Sequence, residues 1–317
     1  MLVFMFPGQS SAYPGMLDRI LERWPDGLAI VDRASSILGR DLLAHYRCGN
    51  DDALASNEDV QIGVFLTSYL HQRALAGHGV IADLSLGLSL GEYNHLVHIG
   101  AIEFEDALRL VSARGRLYDA GPDGMMASIF PLSEAEVSGY LEAVRPHGEV
   151  VCSNLNSPSQ TVISGSRRAV REAMRLIEDE EAGVRAVVID ARLPMHAPCF
   201  APVASAFRPH LLGAPWRLPN LPYIPNVGVD GDLLETPRPE EIVELLTRHV
   251  CSPVRWRDCI EGVVDRDPSA RFVEVGPGRV LCNLMQRRWL KNEKHPTDHD
   301  DAYACLAALT RDVPECA

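Results

Sequence analysis

The sequence is short of several things, and each shortage excludes something. No stretch of its 317 residues reaches the roughly eighteen uncharged apolar residues that a membrane span needs. No basic run precedes the apolar start MLVFMFPGQSS, so this reads as a buried first strand rather than a secretory signal. A cytoplasmic protein is expected. Positive charge is scarce: 30 Lys and Arg face 43 Asp and Glu, a formal net charge of −13. That balance argues against general nucleic-acid binding. None of the eight cysteines (48, 152, 199, 251, 259, 282, 305 and 316) pairs as CxxC, which disfavours a zinc ribbon or a redox dithiol. They read as reduced thiols, mostly small core residues, with Cys316 exposed near the C-terminus. Repeats and low-complexity tracts are absent. What remains is an ordinary globular composition, 46% hydrophobic and 23% charged, long enough for a large domain plus a small one.

Periodicity organises the chain. Leu2–Phe6 reads as a strand ending in the turn PGQSS, and helical patterns follow around Pro14–Arg23 and Leu28–Leu38. Asn57–Ala76 carries apolar residues at helical spacing, as does Phe104–Ala120. The rhythm changes near Gly124. Met125–Phe130 is strand-like, and Ser133–Val144 is helix-like, opening with the capping box SEAE. Val150–Asn156 and Gln160–Gly165 are strands joined by a short turn. Ser166–Glu180 is a helix and Val184–Ala191 a strand. The order β-α-β-β-α-β is the ferredoxin-like split unit, expected over residues 124–193 as an insertion into a larger α/β domain of residues 1–123 and 194–317. A helix near Pro202–Leu212 and the buried strand FVEVGPG (272–278) resume the larger domain. KNEKHPTDHDD (291–301) reads as a polar loop with solvated His295 and His299, and the acidic run 178–181 as solvated.

The chemistry gathers at GLSLGEY (87–93). The segment VIADLSL (80–86) before it is strand-like, and the residues after it are helical. Gly87-Leu88-Ser89-Leu90-Gly91 matches G-x-S-x-G, the sharp strand-to-helix turn that presents a nucleophilic serine. Residues two positions either side come too close for a side chain, so only glycine fits. The helix dipole and the Leu90 N–H would favour a developing oxyanion. A serine needs a base. Of the eleven histidines, His196 in LPMHAPCF falls where the chain leaves the split unit for the main domain, and a cleft between domains is a usual place for a site. A structural or surface histidine is the competing reading. His95 and His98, on the helix after the serine, read as facing neighbours or solvent.

Several motifs together resemble the malonyl-CoA:acyl carrier protein transacylases and the related acyltransferase domains of polyketide synthases. They are FPGQSSAYPGM (6–16), GLSLGEY, GAIEFEDALRLVSARGRLY (100–118), NLNSPSQTVISG (154–165), SPVRW (252–256) and EVGPGRVL (274–281). The resemblance covers nearly the whole chain. It implies an α/β-hydrolase-like core with an inserted ferredoxin-like subdomain, and ping-pong acyl transfer through an ester on Ser89. His196 would be the base, oriented by a backbone carbonyl in Arg248-His249-Val250, here assigned to His249; no triad acid is implied. The backbone N–H groups of Gln9 and Leu90 would form the oxyanion hole. Arg114 would grip the free carboxylate of malonyl, because a guanidinium fork binds carboxylate with two parallel hydrogen bonds. Its competing reading is a surface ion pair, as expected of Arg116. Gln61 would line the pocket and Asn156 its mouth. CoA and phosphopantetheine thioesters would enter as substrates, with no metal or other cofactor. An acyl carrier protein would be the partner, met by a monomer.

Three departures bear on substrate. Leu88 stands where the family usually has histidine. Met195 precedes the catalytic histidine, where phenylalanine or serine is common. Ser10 replaces a glycine. These remodel the pocket and leave the chemistry intact. Carrier proteins are generally acidic, so a basic patch is expected to steer them: Gln286–Lys291 with Lys294, or Arg167, Arg168 and Arg171. Either run also reads as a solvated face. Competing functions are a transferase of a non-malonyl acyl group between carrier proteins, and a hydrolase of acyl thioesters.

Overall fold

A computed structural model describes residues 1–228 and 232–311 of the chain; Cys316 lies outside them. Eight strands and thirteen α-helices are present among the described residues. The first part of the chain holds β1 (Leu2–Phe6), α1 (Met16–Arg23), α2 (Leu28–Leu38), α3 (Leu42–His45), α4 (Asn57–Gly77), β2 (Leu84–Gly87), α5 (Gly91–His98) and α6 (Phe104–Asp119). Next come β3 (Met125–Phe130), α7 (Glu134–Val144), β4 (Val150–Ser157), β5 (Gln160–Gly165), α8 (Arg167–Glu180) and β6 (Arg185–Asp190). The chain finishes with α9 (Ala201–Leu212), α10 (Pro239–His249), α11 (Trp256–Arg266), β7 (Arg271–Glu274), α12 (Val280–Leu284), β8 (Lys294–Pro296) and α13 (Ala302–Arg311).

The larger sheet is parallel, in the order β2-β1-β7-β8. Its central strand LVFMF is buried on both faces, as a parallel strand covered by helices must be. Side chains alternate across a strand, so Leu2, Phe4 and Phe6 enter one hydrophobic core and Val3 and Met5 another. The first core takes in residues of α4, α5, α6, α9 and α10, and the second takes in α11. Burying a core side chain such as Phe4 or Phe6 stabilises the fold by roughly 1.5–3 kcal/mol each.

The smaller sheet is antiparallel, in the order β4-β5-β3-β6. Helices α7 and α8 pack on one face around Ile129, Val137, Ile163 and Val170. Val254 of SPVRW ties this sheet to the main body: its N–H donates to the Ser153 carbonyl, and its carbonyl accepts from Leu155 N–H, both at 2.9 Å.

Some expectations change. Residues 291–301 are not wholly loop, because Lys294–Pro296 is the edge strand β8, paired parallel with β7. His295 is correspondingly half-buried, and only His299 is exposed. In the acidic run, Glu178 accepts from Ala186 N–H, Asp179 from the Arg175 guanidinium and Glu181 from the Tyr140 hydroxyl, so three of the four side chains have partners. All seven described cysteines are free thiols, but only Cys259 and Cys282 are buried, and Cys48 and Cys305 are exposed. Among the described residues no helix is long and apolar enough to cross a membrane.

Candidate active site

Strand β2 ends at Gly87 and α5 begins at Gly91, leaving Ser89 at the turn. A methyl group added to Gly87 would lie 2.1 Å from the Gly91 carbonyl carbon, and one on Gly91 would lie 2.1 Å from the Phe6 oxygen. No side chain fits either place. Ser89 itself is forced to φ 51°. The only other non-glycine residue at positive φ among the described residues is His196, at 60°. Such backbone costs of order 1–3 kcal/mol and persists only where the surroundings over-determine it.

The two strained residues meet. Ser89 Oγ lies 2.9 Å from His196 Nε2, and His196 Nδ1 lies 2.8 Å from the His249 carbonyl. A carbonyl only accepts, so Nδ1 carries the proton and Nε2 is free to take one from Ser89. His196 N–H also donates to the Val250 carbonyl at 3.3 Å, fixing the loop on the end of α10. Burial holds the His196 imidazole well below its usual pKa. The neighbouring His249 ring and the Arg114 guanidinium add to this, against an opposing pull from the His249 carbonyl. The ring is therefore neutral near pH 7 and able to act as a base.

Helix α6 brings Arg114 to the same point. The guanidinium is only 1% exposed. One terminal nitrogen donates to Gln61 Oε1 at 2.7 Å, and the other reaches Ser89 Oγ at 3.4 Å. Tyr118 lies under the guanidinium with its ring centre at 4.3 Å, and Tyr93 at 5.8 Å. No carboxylate pairs with it among the described residues, and its Nε has no acceptor. A buried cation without a counter-ion is costly, and an anionic ligand group would offset that cost. Arg116, two residues on, is the exposed ion pair expected of it, 3.0 Å from Glu58.

A line of amides extends behind this cation. Gln61 Nε2 donates to Gln9 Oε1 at 3.4 Å, and Gln9 Nε2 donates to Asn57 Oδ1 at 3.3 Å. Asp119 caps α4 by accepting the N–H groups of Asn57 and Glu58 at 3.0 and 3.1 Å, which fixes the far end. The backbone N–H groups of Gln9 and Leu90 have no acceptor among the described residues.

A cavity of about 770 Å³ opens in front of Ser89, between the two sheets. Ser89, His196, Gln9, Leu88, Met195 and Asn156 line it. Gln61, Arg114, Leu90 and the His249 side chain are not part of its wall, so Gln61 acts through Arg114 and Gln9 rather than as lining. The Asn156 amide donates to Gln160 Oε1 at 3.0 Å. Of the basic candidates, Arg288 reaches the cavity wall and donates to Ser159 Oγ at 2.7 Å, whereas Arg167, Arg168 and Arg171 lie exposed on α8.

Two polar residues of the elbow have no local sequence signal. Asn226 is fully buried; its Oδ1 accepts from Ser89 N–H and its Nδ2 donates to the Gly87 carbonyl, both at 2.7 Å. Glu92, also fully buried, contacts Tyr223, Asn226 and His249. Of the two readings of His95, neighbours and not solvent surround it: it is buried between Ser85 Oγ (2.7 Å) and the Ile224 N–H (3.1 Å).

Comparison with known proteins follows the same lines. The acyl transferase domain model matches residues 3–315. The malonyl CoA-acyl carrier protein transacylase of Bacillus subtilis (strain 168) is 30% identical over 290 residues, 90% of each chain. The crystal structure of the transacylase of that name from Clostridium perfringens ATCC 13124 superposes with a TM-score of 0.88. It shows 30% identity and covers 98% of this chain and 97% of that one. A malonyl-transacylase solved in complex with a type II polyketide synthase acyl carrier protein also scores 0.88, at 29% identity, covering 97% and 99%. The chain belongs to the acyl transferase family, with the α/β core and ferredoxin-like subdomain of the malonyl transacylases.

Proposed function

We propose that the protein moves a malonyl or substituted malonyl unit from CoA to the phosphopantetheine thiol of an acyl carrier protein, in fatty-acid or polyketide biosynthesis. Ser89 Oγ attacks the thioester carbonyl while His196 Nε2 takes its proton. The oxyanion is received by the N–H groups of Gln9 and Leu90. The C–S bond breaks, and the thiolate leaves with the proton from His196. The carrier thiol then runs the same steps in reverse, giving its proton to His196 as its sulfur takes the acyl group. A thioester is reactive enough that a carbonyl, that of His249, suffices to orient the base.

The single observation that carries the substrate is Arg114: a buried guanidinium, without an acidic partner among the described residues, 3.4 Å from the nucleophile. An acyl group on Ser89 with a terminal carboxylate supplies that partner. Leu88 and Met195 give the wall an aliphatic character that suits a substituted malonyl unit. Residues 124–193 form the subdomain that roofs the cavity, and Arg288 at its rim meets an acidic carrier. The same reading has the protein acting as a monomer in the cytoplasm without a resident metal or cofactor.

Brief incubation with malonyl-CoA followed by intact-protein mass spectrometry tests the reading. A malonyl adduct on the native chain, absent from Ser89→Ala, is expected. Release of free malonate without a lasting adduct would favour the hydrolase, and an adduct on Ser89→Ala would remove the serine from the mechanism.

A further inference from the structure

One carboxylate beneath the elbow takes no part in these steps. Glu92 sits on the first turn of α5, fully buried. One of its oxygens accepts the Tyr223 hydroxyl and, at 3.4 Å, the Asn226 N–H. The other lies 2.9 Å from His249 Nδ1. Glu92 Oε2 and His249 Nε2 have no hydrogen-bond partner among the described residues, so proximity rather than a straight hydrogen bond pairs the two side chains. The ring stacks on His196, with centroids 5.0 Å apart and planes 21° from parallel. The same residue's carbonyl accepts from His196 Nδ1. His249 therefore touches the base twice, once with its backbone and once with its ring.

We infer that Glu92 and His249 form a buried carboxylate–imidazolium pair that positions His196 and keeps it unprotonated between turnovers. The inference rests on the acyl-enzyme reading of Ser89 and His196. A fully buried carboxylate is stabilised by an adjacent cation, and the nearest is the His249 ring. That cation faces His196 at stacking distance, where little water screens it. The other charged or titratable groups around the cluster are Arg114 on α6, Tyr93 on α5, Tyr223 beside Glu92, and Cys259 on α11. Arg114 also opposes a proton on His196. Burial and Glu92 keep the Cys259 thiol and the Tyr223 phenol un-ionised. Once His196 has taken the serine proton, it is one imidazolium beside another and gives that proton up readily to the departing thiolate. Glu92 and His249 touch no substrate; they are positioning residues.

His249→Gln keeps the backbone carbonyl and removes the ring charge. The acylation rate with malonyl-CoA is followed from about pH 4.5 to about pH 8, the range in which a histidine titrates. With the opposing charge gone, the His196 pKa rises, and the acid limb moves to higher pH by about one unit. An acid limb at the native position in a folded variant overturns the inference. Should the variant fail to fold, nitrogen NMR of histidine-labelled native protein still decides. His249 is expected to give an imidazolium signal at neutral pH, and the Glu92→Gln variant a neutral one. A neutral His249 in the native protein overturns the pair. Failure of the native chain to form a Ser89 ester would instead refute the acyl-enzyme reading and leave the NMR result standing.

Discussion

The floor and the roof of the cavity are built on different terms. On the floor, Ser89, His196 and Arg114 are each fixed by another group, and the backbone is held where it would not otherwise go. Ser89 is pinned by Asn226, His196 by two carbonyls of α10, and Arg114 by Gln61 and the Tyr118 ring. On the roof and rim, Met126, Phe130, Val162, Ile189 and Met195 present side chains that share no hydrogen bond. Ile189 and its β6 neighbours Val187 and Val188 are about half exposed, at 50, 47 and 42%. The contrast separates two jobs. Chemistry needs geometry within fractions of an ångström, and strain plus buried hydrogen bonds deliver it. Choice among carboxylated acyl groups of different bulk needs only a wall of suitable shape, which tolerates exchange.

That division can be broken or sharpened by substitution. The largest effect is expected on the floor at Asn226→Ala. It frees the Ser89 N–H and the Gly87 carbonyl of the elbow, and the acylation rate should fall by about 10²-fold with every donor alike. Steady-state rates with malonyl-CoA and methylmalonyl-CoA check this, and a change in their ratio would show that the floor also discriminates between malonyl units of different bulk. A smaller effect is expected at the rim. Met195→Ala enlarges the cavity beside His196, and it should shift preference towards bulkier malonyl units by roughly 3–10-fold. Competition between two donors, read by adduct mass, measures the shift. An equal loss with both donors would place Met195 with the floor.

Much of this architecture was legible in local sequence. Glycines at 87 and 91 around a serine announce a turn because the steric demand is local, and the structure places the contacts that impose it at 2.1 Å. The split unit was readable because its strands alternate and its first helix carries its own capping box. The edge strand Lys294–Pro296 was not, since three residues with charged neighbours carry no period. Asn226 and Glu92 were not either. Asn226 meets Ser89 across 137 residues of chain, and no local pattern distinguishes it from any other turn asparagine. Arg114 and Arg116 look alike in sequence, and only the helix phase sends one under Ser89 and the other to solvent.

The central claim is that a buried guanidinium, with no carboxylate partner among the described residues, selects a carboxylated acyl group. Acylation of Arg114→Ala by malonyl-CoA and by acetyl-CoA tests it most directly. Loss of a charged, two-pronged hydrogen bond should lower the malonyl rate by about 10²-fold or more, while the acetyl rate stays within about threefold of the native value. An equal fall for the two donors would contradict it and reduce Arg114 to a prop for Ser89.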